Sequence, residues 1–548
     1  MARRWAALAT VAAVVAGVGL SACSRGSADT IDYAVDGALV TYNANTVEGA
    51  ASGGPQAFAR VLTGFNYHGP EGQVVGDHDF GTIAVVGRTP LILDYEIKPE
   101  AVYSDGKPIT CDDMVLAWAA QSGRFPAFDA ASRAGYADIA AIDCAPGQKK
   151  ARVSFAQDRG FVDYGQLFDA TALMPSHVIA DELQLGEGGV TAALQNNDGP
   201  VVERVATAWN TIWKLTPDVD LAKFPSSGPY KLDAVTEAGA VQLVANDKWW
   251  GTPPVTERVT VWPRSADLQD RVNEGAYDVV DIAAGSSGTL NLPEDYIRTD
   301  SASAGVEQMI FAPQGPLAAV PARRALAFCT PRDVIARNAE VAVANARLNA
   351  ATEDAYSPAE ATPQAGEFTV ANPEAARTEL GGQPLTVRIA YQSPNARLAA
   401  AVGAIADACA PAGITVEDAA AENTGPLSLR NNEIDVLIAG VGGAAGSGSS
   451  GSSAIDAYAL HSGNGNNLSR YANERIDGII ATIAVTSDPK ELARLLAEAG
   501  PILWGDMPTL PLYRQQRTLI TSSKMYAVSS NPTRWGAGWN MDRWRLDR

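Results

Sequence analysis

The chain has 548 residues, with 62 acidic against 42 basic side chains and a formal net charge of -20. That length exceeds one ordinary core and predicts several domains able to stabilise themselves. The acidic balance, without a Lys/Arg cluster, excludes nucleic acid as a partner, since phosphate neutralisation needs clustered cations.

The N-terminus reads MARRWAALATVAAVVAGVGLSAC. Two arginines, a short apolar run and small residues make residues 1–22 a secretory signal, too short and wrongly flanked for a permanent membrane span. Leu20-Ser21-Ala22-Cys23 resembles a bacterial lipobox, which implies that Cys23 becomes the lipid-carrying first residue of the mature chain. The mature protein is then expected as a soluble body on the extracytoplasmic face of the cell membrane, held to it by a lipid anchor only.

Mixed α and β patterns follow. TIDYAVDGALVTYNANT predicts a strand and a polar turn, PQAFARVLTGF a helix, and LILDYEIKPEAVYS extended strands. In VYSDGKPITCDDMVLAW, Asp105-Gly106 is a turn pair, and Thr110 is an N-cap with Asp113 three residues on, so a turn leads into a helix whose carboxylates sit at its positive end. SSGPYKLDAVTEAGAVQLVANDKWWG predicts two strands, Tyr230 to Val235 and Ala240 to Ala245, around a Gly-containing turn. LTVRIAYQSPNARLAAAVGAIADACAPAGITVE predicts a parallel strand-helix-strand crossover. NNEIDVLIA is a buried strand, and the run from Gly440 to Ala454 after it is, by composition, a flexible solvated linker. Its position at the carboxyl end of a strand gives it a second reading, because ligands of open α/β sheets bind there.

Beyond Cys23 the cysteines are Cys111, Cys144, Cys329 and Cys409, an even set for an oxidising compartment. The stripes Ala322, Ala325, Leu326, Cys329 and Leu398, Val402, Ile405, Cys409 have helical spacing. If these helices pack together, Cys329 pairs with Cys409 and Cys111 with Cys144. The absence of any CxxC argues against a metal site. The chain also lacks a GxSxG elbow, an HExxH motif and a Gly-Lys-Ser/Thr phosphate loop, and its four histidines, His68, His78, His177 and His461, show no ligand spacing. No enzyme, cofactor or metal is expected.

YEIKPEAVYSDGKPITCDDMVLAW, the Gly-Pro-Tyr hairpin SGPYKLDAVTEAGAVQLVANDKWWG, and weaker echoes in PARRALAFCTPRDVI, YANERIDGII and MPTLPLY together resemble solute-binding protein family 5, the extracytoplasmic substrate-binding lipoproteins of peptide and nickel ABC transporters. The resemblance implies an α/β, two-lobed periplasmic-binding-protein-like fold (class II type) with an extra subdomain in lobe I. Carried onto this chain, it places lobe I at residues 23–263 with the subdomain around 70–190, lobe II at 264–500, and a C-terminal return to lobe I at 501–548. It implies a monomer that captures a small solute, a peptide or peptide-like molecule, between the lobes and serves ABC permease subunits with a cytoplasmic ATPase. Polar and aromatic residues after strand ends are the candidate ligand contacts: Tyr42, Asn43 and Asn45 after the first strand, and Asp456, Tyr458 and His461 after the Gly/Ser run. Peptide binders of the family carry a Trp-x-x-Asp segment where this chain has that run, and its nearest acid is Asp456. Related actinobacterial lipoproteins share the fold but act in phosphatidylinositol mannoside synthesis, which is the alternative function.

Overall fold

The first strand, Thr30–Val35, pairs in parallel with Arg258–Trp262 on one side and with Val279–Ala283 on the other. From this nucleus a mixed ten-stranded sheet extends in both directions. The computed structural model describes residues 30–348 and 363–547; the signal segment and the expected lipidation site, Cys23, lie outside the described residues. Among the described residues no helix is long and apolar enough to cross a membrane.

One half of the sheet is built on Thr30–Val35 and carries the predicted hairpin, Tyr230–Val235 with Val241–Ala245, at its edge. The other half comprises Val436–Ala439, Leu385–Ala390 and Ile414–Asp418, the last two parallel around helix Ala396–Cys409 as the pattern predicts. Two long strands join the halves. Tyr296–Phe311 and Thr509–Ser522 pair antiparallel along their length, so that Tyr296 meets Ser522 on the first side while Ile310 meets Thr509 on the second. Strand Val279–Ala283, beyond the 263/264 division drawn from the sequence, pairs with Thr521 to Arg517 and thus lies on the first side. A register shift between Ala302 and Val306 breaks the crossing pair. Gly305 sits in that bulge, where a Cβ would overlap the Gln515 side chain and lie 2.5 Å from the Ser447 carbonyl oxygen. The glycine therefore lets a chain from the second half approach the crossing strands.

Residues 81–155 add a separate antiparallel sheet, ordered Gly81–Arg88, Leu91–Ile97, Lys150–Phe155, Ile139–Asp143, with helix Cys111–Gln121 beside it. This sheet lies within the stretch around 70–190 expected as the subdomain, and is called the subdomain. Thr110 caps the helix in a full capping box with Asp113. Asp112 accepts from Thr110 Oγ1 at 2.8 Å and from the Gly147 amide at 2.7 Å, and Asp113 accepts from the Ser176 amide at 2.8 Å. Both carboxylates hold the scaffold. Thr110→Ala should cost about 1 kcal/mol of stability, read as a lower urea midpoint at unchanged slope; an unchanged midpoint would contradict this account of the helix start.

Disulfides join Cys111 to Cys144 and Cys329 to Cys409, with Cα separations of 5.8 and 4.9 Å. The second ties helix Val320–Cys329 to helix Ala396–Cys409 inside the second core, where both predicted stripes are buried. Cys111, Asp112 and Cys144 converge closely enough for a metal, but both sulfurs are committed to the disulfide.

Candidate functional site between the lobes

The run from Gly440 to Ala454 is not a solvated linker. Ser449 is fully buried, and Ser447, Ser450 and Ser452 are nearly so. Composition misleads here because short side chains leave the backbone free to pack closely, and the serines bond locally or across the cleft. Asp456 Oδ2 accepts from Ser449 Oγ at 2.5 Å and its Oδ1 from the Ser450 amide at 2.9 Å. The Ser449 carbonyl accepts from the Arg534 amide at 2.8 Å, Ser447 Oγ donates to the Pro532 carbonyl at 3.2 Å, and Ser452 Oγ donates to Asp163. The loop is thereby fastened to the first lobe and to the C-terminal return.

Beneath it lies a buried network of charges. Arg264 Nη2 stands 2.6 Å from Asp36 Oδ1 and reaches across to the second half through the carbonyls of Gln392 and Pro394, at 3.1 and 2.9 Å. Asp36 Oδ2 accepts from the Ala283 amide at 2.7 Å. Asp281 pairs with Arg517, whose Nη2 stands 2.7 Å away, and accepts from Arg517 Nε at 2.9 Å, the Ala537 amide at 2.7 Å and Gln56 Nε2 at 3.2 Å. Gln515 Nε2 divides its donation between Glu307 Oε2, at 3.2 Å, and the Gly446 carbonyl, at 3.0 Å. The loop roofs a crevice of about 20 Å³ lined by Asp36, Gln56, Gly446, Arg517 and Arg534, room for about one water. A methyl group at Gly446 would sit 3.9 Å from Asp36 Oδ2 and 4.0 Å from Arg517 Nη1.

Glu307 belongs to a crossing strand, and its Oε1 has no hydrogen-bond partner among the described residues. Burial pushes its carboxyl up to about 7, against the nearby Arg397 and the Gln515 bond, while Asp36 adds to the rise. The folded chain keeps this proton where the unfolded chain has released it, so the group's stabilising contribution is present below about pH 4.5 and lost as pH rises to about 7. Glu307→Gln should match the native protein in urea unfolding at pH 4.5 and exceed its stability at pH 8 by up to about 3 kcal/mol. Parallel pH curves for the two proteins would refute this.

The six residues that the sequence offers as ligand contacts fall in two groups. Tyr42 is buried between the rings of Phe58 and Phe224, with its hydroxyl 2.9 Å from Ser226 Oγ. Asn43 Nδ2 donates to the Trp209 carbonyl at 3.1 Å, Asn45 Nδ2 to the Thr171 carbonyl at 2.8 Å, and the two amides bond to each other at 3.0 Å. These hydrogen bonds all go to first-lobe residues. Asp456 lies under the loop, where desolvation raises its carboxyl to about 6. Tyr458 and His461 stack with ring centroids 4.9 Å apart, and His461 Nδ1 is 4.0 Å from Asp477. Asp36, Glu307, Gln515 and Arg517 gather at the crevice with no motif in the sequence to announce them. The first follows the strand Thr30–Val35 directly, six residues before Tyr42. The last two alternate along Tyr513-Arg514-Gln515-Gln516-Arg517, where Tyr513, Gln515 and Arg517 are the buried members.

Two lobes joined by crossing strands, with polar groups from both meeting in the crevice, define the fold of a bacterial solute-binding protein. The family model described as "Bacterial extracellular solute-binding proteins, family 5 Middle" matches residues 90–459, and the chain belongs to that family. It is 65% identical over 541 residues to an uncharacterized lipoprotein of Mycobacterium tuberculosis, covering 98% of this chain and 97% of that one. It is 26% identical to the oligopeptide-binding protein OppA of the same organism, over 83% of this chain and 75% of that one. A further relative there, the probable monoacyl phosphatidylinositol tetramannoside-binding protein LpqW, is 25% identical over 38% of this chain and 28% of its own. Among solved structures, the oligopeptide-binding protein AppA of Bacillus subtilis in complex with a nonapeptide superposes with a TM-score of 0.72 at 14% identity, over 95% of this chain and 99% of that one. The periplasmic EDTA-binding protein EppA also gives 0.72, at 17% identity, over 95% and 96%.

Proposed function

We propose that this chain is the substrate-binding lipoprotein of an ABC importer, lipid-anchored at Cys23, which takes a peptide or peptide-like solute between its lobes and passes it unaltered to permease subunits. The observation that carries the reading is the Gly/Ser loop fastened over the charged floor of Asp36 and Arg517, with Glu307 linked to the loop through Gln515. In this conformation the crevice beneath it holds about one water, so a solute enters only when loop and lobes move. The extensive match to an oligopeptide-binding relative supports the peptide class. Under this reading lobe I takes in the strands up to Val279–Ala283 and the C-terminal return, and Asp456 with the loop serines supplies the second lobe's polar contacts.

Titration calorimetry with di- to hexapeptides tests it: the native chain should give heat with at least one length class, and deletion of Gly446 to Ser453 should abolish it. No heat from any peptide, with the fold intact, would overturn the peptide assignment. Heat from mannosylated phosphoinositides alone would favour the envelope-glycolipid role, which the shorter LpqW match supports.

A further inference from the structure

A second and larger cavity, of about 420 Å³, lies between the subdomain and the segment 463–472. Its walls are the half-buried ring of Phe125, buried Phe128 and Leu468, and three arginines, Arg133, Arg430 and Arg470. Arg430 is neutralised by Asp129 at 2.8 Å and donates to the Gly465 carbonyl at 2.9 Å. Arg133 and Arg470 have no acidic partner among the described residues. In a chain of net charge -20, half-buried Arg133 and exposed Arg470 give this cavity a local positive charge suited to an anionic group.

The Arg133 side chain is also positioned. A Cβ at Gly123 would lie 2.5 Å from its Nε, and one at Gly463 would lie 3.3 Å from its Nη1. Both glycines have positive φ, 74° and 69°. One belongs to the subdomain and the other to the opposite segment, so each side leaves out a side chain where the guanidinium passes. The Arg133 amide is itself fixed, donating to Asn464 Oδ1 at 2.8 Å.

We infer that this cavity is a binding site for an oxyanion, a carboxylate or phosphate group carried by the solute, held by Arg133 and Arg470 with its apolar part against Phe125 and Phe128. The inference rests on the reading that solutes bind between the lobes and narrows their class to anionic ones. An anion there would bridge the guanidinium groups of the two sides and favour the closed form by its differential affinity for it.

The test is calorimetry of triglutamate, trialanine and inorganic phosphate on the full chain and on Arg133→Gln and Arg470→Gln variants. Triglutamate should bind, each substitution should weaken it about tenfold, and any trialanine binding should be unaffected. Competition by phosphate would extend the recognised chemistry to any oxyanion; its absence would confine it to carboxylates. Triglutamate affinity within twofold of native in both variants, with circular dichroism unchanged, would overturn the site while leaving peptide capture standing. Failure of both peptides on the native chain would overturn this inference and the peptide reading together.

Discussion

Replacing Asp281 by alanine is expected to cost about 3 to 5 kcal/mol of folding stability, the scale for stranding one member of a buried ion pair. Asp281 is 2% exposed and joins four segments of the chain at one carboxylate: strand Val279–Ala283, Arg517 on the crossing strand, Gln56, and the C-terminal return at Ala537. Removing it leaves the Arg517 guanidinium, itself 4% exposed, without its closest counter-charge. Urea unfolding should show the loss as a lower midpoint. Because desolvation offsets much of the pair's attraction, the double variant Asp281→Ala with Arg517→Met should recover a large part of the stability. A single-variant cost below about 1 kcal/mol would show that the pair is solvated in solution and that the floor of the crevice is open.

The second large effect concerns closure itself. Where the segment 463–467 meets the subdomain, Asn466 donates its amide to the Ala131 carbonyl at 2.8 Å, and a Cβ at Gly465 would overlap the Ala130 carbonyl oxygen. The obstacle is backbone, which cannot rotate aside as a side chain can. Gly465 is not among the positive-φ glycines, so alanine there is unstrained within its own segment. Gly465→Ala should therefore spare the separate lobes and penalise the closed form by about 1 to 3 kcal/mol. That corresponds to a loss of affinity of about five- to 150-fold for any solute bound between the lobes. Calorimetry against the native chain checks it, and affinity unchanged by the methyl group would mean that this contact is absent from the bound state.

Much of the fold was legible because the signals were local. The stripe Leu398, Val402, Ile405, Cys409 repeats at helical spacing, the flanking runs are apolar, and a parallel crossover follows. Thr110 with Asp113 announces a helix start whatever lies around it. The site was less legible because its residues meet only through the crossing strands: Glu307 and Gln515 are neighbours at a separation of 208 positions. Asp36, directly after the first strand, lines the crevice, whereas the side chains of Tyr42, Asn43 and Asn45 further along hydrogen-bond to residues before the crossing strands. The Gly/Ser run shows the limit of composition most clearly. Its content is that of a linker, whereas its position after Val436–Ala439 carries the information that it is packed.

The central claim is that two lobes close on a solute in the crevice between them. Small-angle X-ray scattering of the purified chain, without solute and saturated with the peptide of largest calorimetric heat, tests it most directly. The account predicts a smaller radius of gyration on saturation, and no such compaction in Gly465→Ala at the same peptide concentration. Calorimetric binding with an unchanged radius of gyration in the native chain would contradict it.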